Sequence, residues 1–65
     1  MTQEFKKGDR VKILRPAYVG EEGEFITYCG KVNEEKGCKV KLDIKDKQGK
    51  NVQEYFSVSE LEKLS

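Results

Sequence analysis

Apolar and polar residues alternate through CKVKLDIK, residues 38–45, and this period of two narrows the choice of fold more than any other feature of the chain. Successive side chains of a β-strand point to opposite faces of a sheet. One face therefore carries Cys38, Val40, Leu42 and Ile44, and the other carries three lysines and an aspartate. The pattern predicts a half-buried strand whose lysines lie outside.

Other segments predict further strands, because they are rich in β-branched and aromatic residues or repeat the same alternation. The five predicted strands cover residues 9–14, 23 to about 32, 38–45, 51–57 and 61–64. Polar segments that contain glycine, residues 33–37 and 47–50, predict hairpin loops. Ser57 and Glu60 have the spacing of a capping box, which predicts a single helical turn before the last strand. We therefore expect an all-β fold in which a small five-stranded antiparallel sheet bends into a barrel.

Two glycines, Gly20 and Gly23, enclose a pair of glutamates between the first two strands. A loop that binds phosphate presents backbone amides away from negative charge, and the two glutamates oppose that use. We expect a tight corner instead, in which the glycines supply positive φ and close backbone approach. Pro16 fits the same turn because it fixes φ and donates no hydrogen bond. Gly30 predicts a bulge in the second strand.

A length of 65 residues allows one small core, so we expect a single domain over residues 1–65 with loose termini at 1–5 and 65. No apolar run is long enough to span a bilayer, and residues 1–10 lack the apolar stretch of a signal peptide. We therefore expect a cytoplasmic protein without membrane insertion. Cys29 and Cys38 are then expected as reduced thiols, and a disulfide is the alternative.

Catalysis and metal binding are not expected from the composition. The chain contains two cysteines and no histidine, whereas a structural zinc site needs four ligands. Without histidine, a general base near neutral pH must be a strongly perturbed carboxylate or lysine, and perturbation needs burial that a small chain barely provides. Neither cysteine has a histidine to activate it. We expect a protein that is not an enzyme and that needs no cofactor and no metal.

Two stretches carry a family resemblance. KGDRVKI at residues 7–13, followed by GEEGEFI at 20–26, resembles the KOW motif of ribosomal proteins and transcription elongation factors, which implies an SH3-like barrel and nucleic-acid binding. VKILRP at 11–16 with YFSVSEL at 55–61 is also similar to the small ferredoxin-docking subunit of photosystem I, subunit IV. The aromatic-rich segment of that family is reduced here to AYV, residues 17–19. Both resemblances imply the same barrel but different partners.

The resemblances imply two classes of binding site. Barrels of this kind commonly bind a protein partner through the loop after the first strand and nearby rings, which here are Arg15, Tyr18 and Tyr55. The alternative is RNA or DNA binding by a basic stripe. Its candidate residues are Lys6, Lys7, Arg10, Lys12 and Arg15 near the first strand, with Lys39, Lys41 and Lys45 on the third.

The balance of charge separates these hypotheses only weakly. The chain has thirteen basic and twelve acidic residues, so no field of one sign dominates it. An outward row of lysines is also often only solvated surface. Glutamates in the flanking loops also oppose a continuous basic stripe. We therefore favour a non-catalytic adaptor that binds a protein partner, with nucleic acid as the second possibility and ferredoxin docking as a distant third.

Overall fold

The alternation along residues 38–45 belongs to an inner strand of a single antiparallel sheet in the computed structural model, which describes residues 4–64. The strands are β1 (Arg10–Ile13), β2 (Glu22–Val32), β3 (Glu35–Lys45), β4 (Asn51–Ser57) and β5 (Leu61–Lys63). They are arranged in the order β4-β3-β2-β1-β5, so the first and last strands of the chain are neighbours. One 3-10 turn, Pro16–Tyr18, follows β1, and another, Val58–Glu60, precedes β5.

These elements confirm the all-β prediction of five antiparallel strands with one helical turn before the last strand. The Pro16–Tyr18 turn is additional, and it begins at the proline that we had placed in a turn. Proline is favoured at the first position of such a turn because its missing N–H has no partner there in any case. β4 has the predicted bounds, and the other strands differ from the predicted ones mainly at their ends.

The core draws one cluster of side chains from all five strands, which requires the sheet to bend strongly. Its members are Phe5, Val11, Ile13, Phe25, Cys38, Val40, Leu42, Phe56 and Leu61. Phe5 stacks on Phe25, with 5.5 Å between ring centroids, and its N–H donates to the Tyr28 hydroxyl at 2.8 Å. The prediction of a loose segment over residues 1–5 is therefore wrong at Phe5, since a ring that is 4% exposed adds to a very small core. Residues 1–3 and 65 lie outside the described residues.

β2 bends where extra residues interrupt its pairing with β3. The register shifts between Phe25 and Thr27 and again between Tyr28 and Lys31. Gly30 lies within the second shift and has a φ of 38°. An extra residue in one strand increases the local twist, so the predicted bulge is confirmed and helps the long strand to curl.

The two glycines of the corner between β1 and β2 differ in their roles: one has a positive φ, and the other allows close backbone approach. Gly20 has a φ of +88°, and open space surrounds the position of a Cβ. Gly23 has no positive φ, but a Cβ there would lie 2.6 Å from the Lys41 carbonyl oxygen and 2.8 Å from Val40 Cγ1. Positive φ and close backbone approach are thus both present, each at one glycine.

The β2–β3 hairpin is tighter than predicted. We expected a loop over residues 33–37, but the connection is the pair Asn33 and Glu34, with φ values of 53° and 64°. Two consecutive positive φ values match the right-handed twist of the flanking strands. Residues 35–37 continue β3, where a Cβ on Gly37 would overlap the Cys29 carbonyl oxygen.

Candidate functional site

Arg15 lies between β1 and the Pro16–Tyr18 turn, and its guanidinium group is held by Glu60. Nε donates to Oε2 and Nη2 donates to Oε1, each at 2.8 Å. The guanidinium carbon lies 4.5 Å from the centroid of the Phe56 ring. The two charged side chains are only 25% and 20% exposed, and such paired bonds are among the stronger hydrogen bonds in proteins.

Glu60 has a second set of donors on Ser57, at the end of β4. Its Oε1 accepts the Ser57 backbone N–H at 2.9 Å and the Ser57 hydroxyl at 3.0 Å. The hydrogen bonds from Arg15, followed by those from Ser57, lower the pKa of Glu60 to about 2. The predicted capping box is therefore present, and Arg15 occupies the other side of its carboxylate. We call Arg15, Tyr18, Phe56, Ser57 and Glu60 the Arg15 corner.

Tyr18 completes this corner by packing the edge of its ring against Phe56, with 5.8 Å between centroids and 84° between ring planes. Its hydroxyl lies 3.5 Å from Glu54 Oε2. Arg15 and Tyr18, which the docking hypothesis needs at the surface, are both half-buried and support the end of β4. Their use in docking a protein stays a prediction.

Tyr55 does not join that pair. Adjacent residues of a strand point to opposite faces, so the Tyr55 ring lies on the face opposite to Phe56, and the residue is 48% exposed. Its backbone contacts the corner, since Arg15 Nη2 donates to its carbonyl oxygen at 3.1 Å. Its N–H donates to Glu54 Oε1 at 3.0 Å. The three residues predicted to form one docking platform are therefore divided between two faces.

The part of the predicted basic stripe that lies on β1 is neutralised by acidic neighbours. Arg10 donates through both terminal nitrogens to the two carboxylate oxygens of Asp43, and Glu22 lies 3.8 Å away. Asp43 raises the pKa of Arg10, and Arg10 lowers that of Asp43. Lys12 lies opposite Glu22 on β2 and Glu62 on β5. This half of the stripe therefore presents alternating charge.

Lys6 and Lys7 are exposed but lie apart from the lysines of β3. They precede β1 in a turn in which the Gly8 N–H donates to the Phe25 carbonyl oxygen of β2 at 2.9 Å. β2 is thus between this turn and β3. The structure does not bring the two predicted groups of basic residues together.

The outward surface of β3 and β4 combines lysines with an aromatic ring. Pairing places Lys39 opposite Tyr55 and Lys41 opposite Gln53, and Lys45 lies farther along β3. We call these five residues the lysine face. Among the described residues, 4–64, none of its lysines forms an ion pair. Lys41 and Lys45 are exposed and Lys39 is half-buried. Because no carboxylate of the described residues holds them, their ammonium groups are available to a ligand.

Acidic residues near the lysine face are few. Asp43 points the same way but is held by Arg10, and Asp46 accepts backbone N–H groups of Gln48 and Lys50 in the next loop. Glu24 is opposite Lys41 on the β2 side. Residues 38–53 contain five lysines and two aspartates, a net charge of +3, whereas the whole chain has +1. Residues 38–53 of the β3–β4 hairpin are therefore a local basic region in a nearly neutral protein.

Sequence reasoning assigned Tyr55 to the wrong group of neighbours, although a usable signal was present. Asn51, Gln53 and Tyr55 alternate with Val52, Glu54 and Phe56, which puts the first three on one face of the fourth strand. Hairpin pairing with the third strand then makes that face continuous with the lysines.

The two thiols are both free, as expected, and they differ in exposure. Cys38 is fully buried in the core, and Cys29 is partly exposed in the bulge of β2. Burial raises the pKa of Cys38 to about 11, so at neutral pH this residue is a thiol that packs as a small apolar group. Within residues 4–64, acidic and cysteine side chains form no cluster of three or more that resembles a metal site.

Comparisons with protein-family models, curated proteins and solved structures found no match for this chain. Each helical segment of residues 4–64 is a three-residue 3-10 turn, and none has the length and apolar character needed to cross a membrane.

Proposed function

We propose that this protein is a non-catalytic module that binds nucleic acid through the lysine face. The observation that carries the proposal is the contrast between the basic residues. Both arginines of the chain, Arg10 and Arg15, are held by carboxylates, whereas Lys39, Lys41 and Lys45 project from β3 without an ion pair among the described residues. A row of unpaired cations suits a ligand with a row of anions.

Spacing and rigidity support the same ligand. Alternate residues of a strand are about 6.5 Å apart, so the side chains of Lys39 and Lys41 start from neighbouring positions on one face. The strand that carries them lies between β2 and β4, so its backbone is fixed on both sides. Phosphate groups bound in this way release counterions, and each contact adds to the salt dependence of binding.

The test is fluorescence anisotropy with labelled RNA and DNA oligonucleotides at several salt concentrations. We expect Lys39→Glu with Lys41→Glu to weaken binding at least about tenfold and to flatten the dependence on salt. Lys6→Glu with Lys7→Glu is the matched control, because it makes the same change in net charge on the far side of β2. Equal loss in the two double variants would contradict a specific face, and no binding of any oligonucleotide would contradict nucleic-acid binding altogether.

A protein partner at the loop after β1 remains the second candidate, because two apolar side chains beside the Arg15 corner are uncovered. Leu14 is 47% exposed and Val19 is 68% exposed. Val19→Ser with Leu14→Ser leaves the bonds of Arg15 intact, so it tests this surface more cleanly than a change at Arg15. Loss of a crosslinked partner in that variant, with no loss in the lysine double variant, would support docking. Ferredoxin would be one partner to try.

A further inference from the structure

We propose that the ligand is single-stranded nucleic acid, with one base stacked on the Tyr55 ring and the flanking phosphates held by Lys39 and Lys41. This inference rests on the proposed function and specifies the strand state that the lysine face would bind. Tyr55 lies directly across from Lys39, and Gln53 on the same strand lies across from Lys41. The ring, the two cations and the amide therefore form one small surface.

The position of Tyr55 is fixed before any ligand arrives. Its backbone carbonyl accepts from Arg15 Nη2, and its N–H donates to Glu54. The strand that carries it is paired with β3, where Tyr55 lies opposite Lys39. The ring itself makes no contact with another ring among residues 4–64, and the residue as a whole is 48% exposed. An aromatic ring with an anchored backbone and an open surface gives a stacking partner that loses little conformational entropy on binding.

The edge position of β4 leaves room for a base. Within residues 4–64, β4 is the last strand on its side of the sheet, and no further strand lies beyond Tyr55. Gln53 is exposed and carries both a donor and an acceptor at its amide. This surface offers stacking and hydrogen bonding to a base, with lysines on the β3 side for the phosphates.

A duplex fits this surface poorly, because its bases are already stacked on one another and paired. Sequence reading in a duplex requires an element that enters a groove, whereas a flat strand surface with a ring and lysines suits unstacked bases. Stacking of a base on an aromatic side chain favours single strands of many sequences. The charge complementarity of the lysine face then applies to the backbone on either side of the stacked base.

The experiment compares three probes against three variants. The probes are a labelled 12-residue oligothymidylate, a DNA duplex of equal length, and heparin, a polyanion without bases. The variants are Tyr55→Leu, Tyr55→Phe and Lys39→Glu with Lys41→Glu, each shown to be folded by its circular dichroism spectrum and thermal melt. We expect Tyr55→Leu to weaken oligothymidylate binding by about fivefold to about a hundredfold with an unchanged salt slope, while Tyr55→Phe binds as the wild type does.

The outcomes separate the inference from the proposed function. Heparin binding that falls only in the lysine double variant, together with duplex binding at least tenfold weaker than oligothymidylate binding, supports stacking. If Tyr55→Leu binds oligothymidylate as tightly as the wild type, or if the duplex binds equally well, the stacking inference is overturned while nucleic-acid binding stands. If neither nucleic acid binds, both proposals fail. Binding of heparin alone would leave a general polyanion surface.

Discussion

The Arg15 corner and the lysine face contain the same kinds of residue but use them differently. In the corner, a guanidinium group, two aromatic rings and a carboxylate satisfy one another, and the cation is three-quarters covered. On the lysine face, the cations lie beside an exposed ring and have no carboxylate partner among residues 4–64. A basic residue beside an aromatic one therefore marks a binding surface only when neither is already used by the fold.

The largest effect should follow the loss of Arg15. Arg15→Ala leaves Glu60 without its fork of donors and uncovers Phe56, so we expect a loss of about 2 to 4 kcal/mol in the free energy of unfolding. This exceeds a typical surface pair because both charges are mostly covered. Urea denaturation is the measurement. The stability of Arg15→Lys should lie between those of the wild type and Arg15→Ala, because lysine keeps the charge but lacks the planar pair of donors.

Lys39→Ala is the matched control for that variant, and we expect it to stay within about 0.5 kcal/mol of the wild type. Equal stability of Arg15→Ala and Lys39→Ala would contradict the claim that the Arg15 corner stabilises the fold while the lysine face does not. We expect the opposite ranking for the proposed oligonucleotide binding, since Lys39→Ala should weaken it more than Arg15→Lys does once both variants are compared as folded protein.

Substitution of the two glycines in the β1–β2 corner tests how closely the backbone packs there. Gly23 lies against the backbone of Lys41, and a Cβ there would collide with a carbonyl oxygen that cannot rotate away. We expect Gly23→Ala to cost about 2 to 3 kcal/mol. Gly20→Ala has open space and strains only the backbone, for about 1 kcal/mol. Thermal melts that reversed this order would contradict the close approach of β2 to β3.

Acid should weaken the Arg15 corner, because the Glu60 carboxylate takes up a proton at low pH. The pKa of Glu60 is about 2 in the folded protein, below its ordinary value of 4.5, so its stabilisation is complete above the ordinary value and is lost as the pH falls toward 2. We expect a loss of about 1 to 2 kcal/mol from this group, reduced from the full shift because the side chain is partly exposed.

Asp43 also has a lowered pKa, because of its hydrogen bonds from Arg10, and it contributes in the same direction, so a variant is needed to isolate Glu60. Glu60→Gln should be less stable than the wild type at pH 7, and the difference should be clearly smaller at pH 2.5, as measured by denaturation at each pH. A parallel decline of the two proteins with falling pH would show that the corner carboxylate does not contribute.

Local patterns predicted the elements of this fold but not the pairs that join them. The period of two located β3, and the Ser57–Glu60 spacing located the turn before β5, because both depend on residues close in sequence. Arg15 and Glu60 are 45 positions apart, and Arg10 and Asp43 are 33 apart. Which carboxylate meets which arginine depends on strand order and register, which the local pattern does not specify.

Phe5 and the Asn33–Glu34 turn were missed for related reasons. A single aromatic residue before the first strand has no neighbouring pattern that predicts burial, and its partners Phe25 and Tyr28 belong to another strand. The turn depends on two positive φ values at residues that seldom adopt them, and the nearby Gly37 was the more obvious breaker. In the candidate site, the lysines of β3 form the outward row that the alternation predicts. The position of Tyr55, the burial of Arg15 and the separation of Lys6 and Lys7 from that row depend on pairing between distant segments.

The hydrogen bonds at the end of β4 also have a consequence for self-association. An edge strand with free N–H and C=O groups is a template on which another chain can add a strand and begin to aggregate. Here the Tyr55 N–H and C=O are occupied by Glu54 and Arg15, and the Ser57 N–H is occupied by Glu60. An incoming strand would have to displace these side chains before it could form a ladder there. The Arg15 corner therefore hinders intermolecular β-pairing at this end of the sheet.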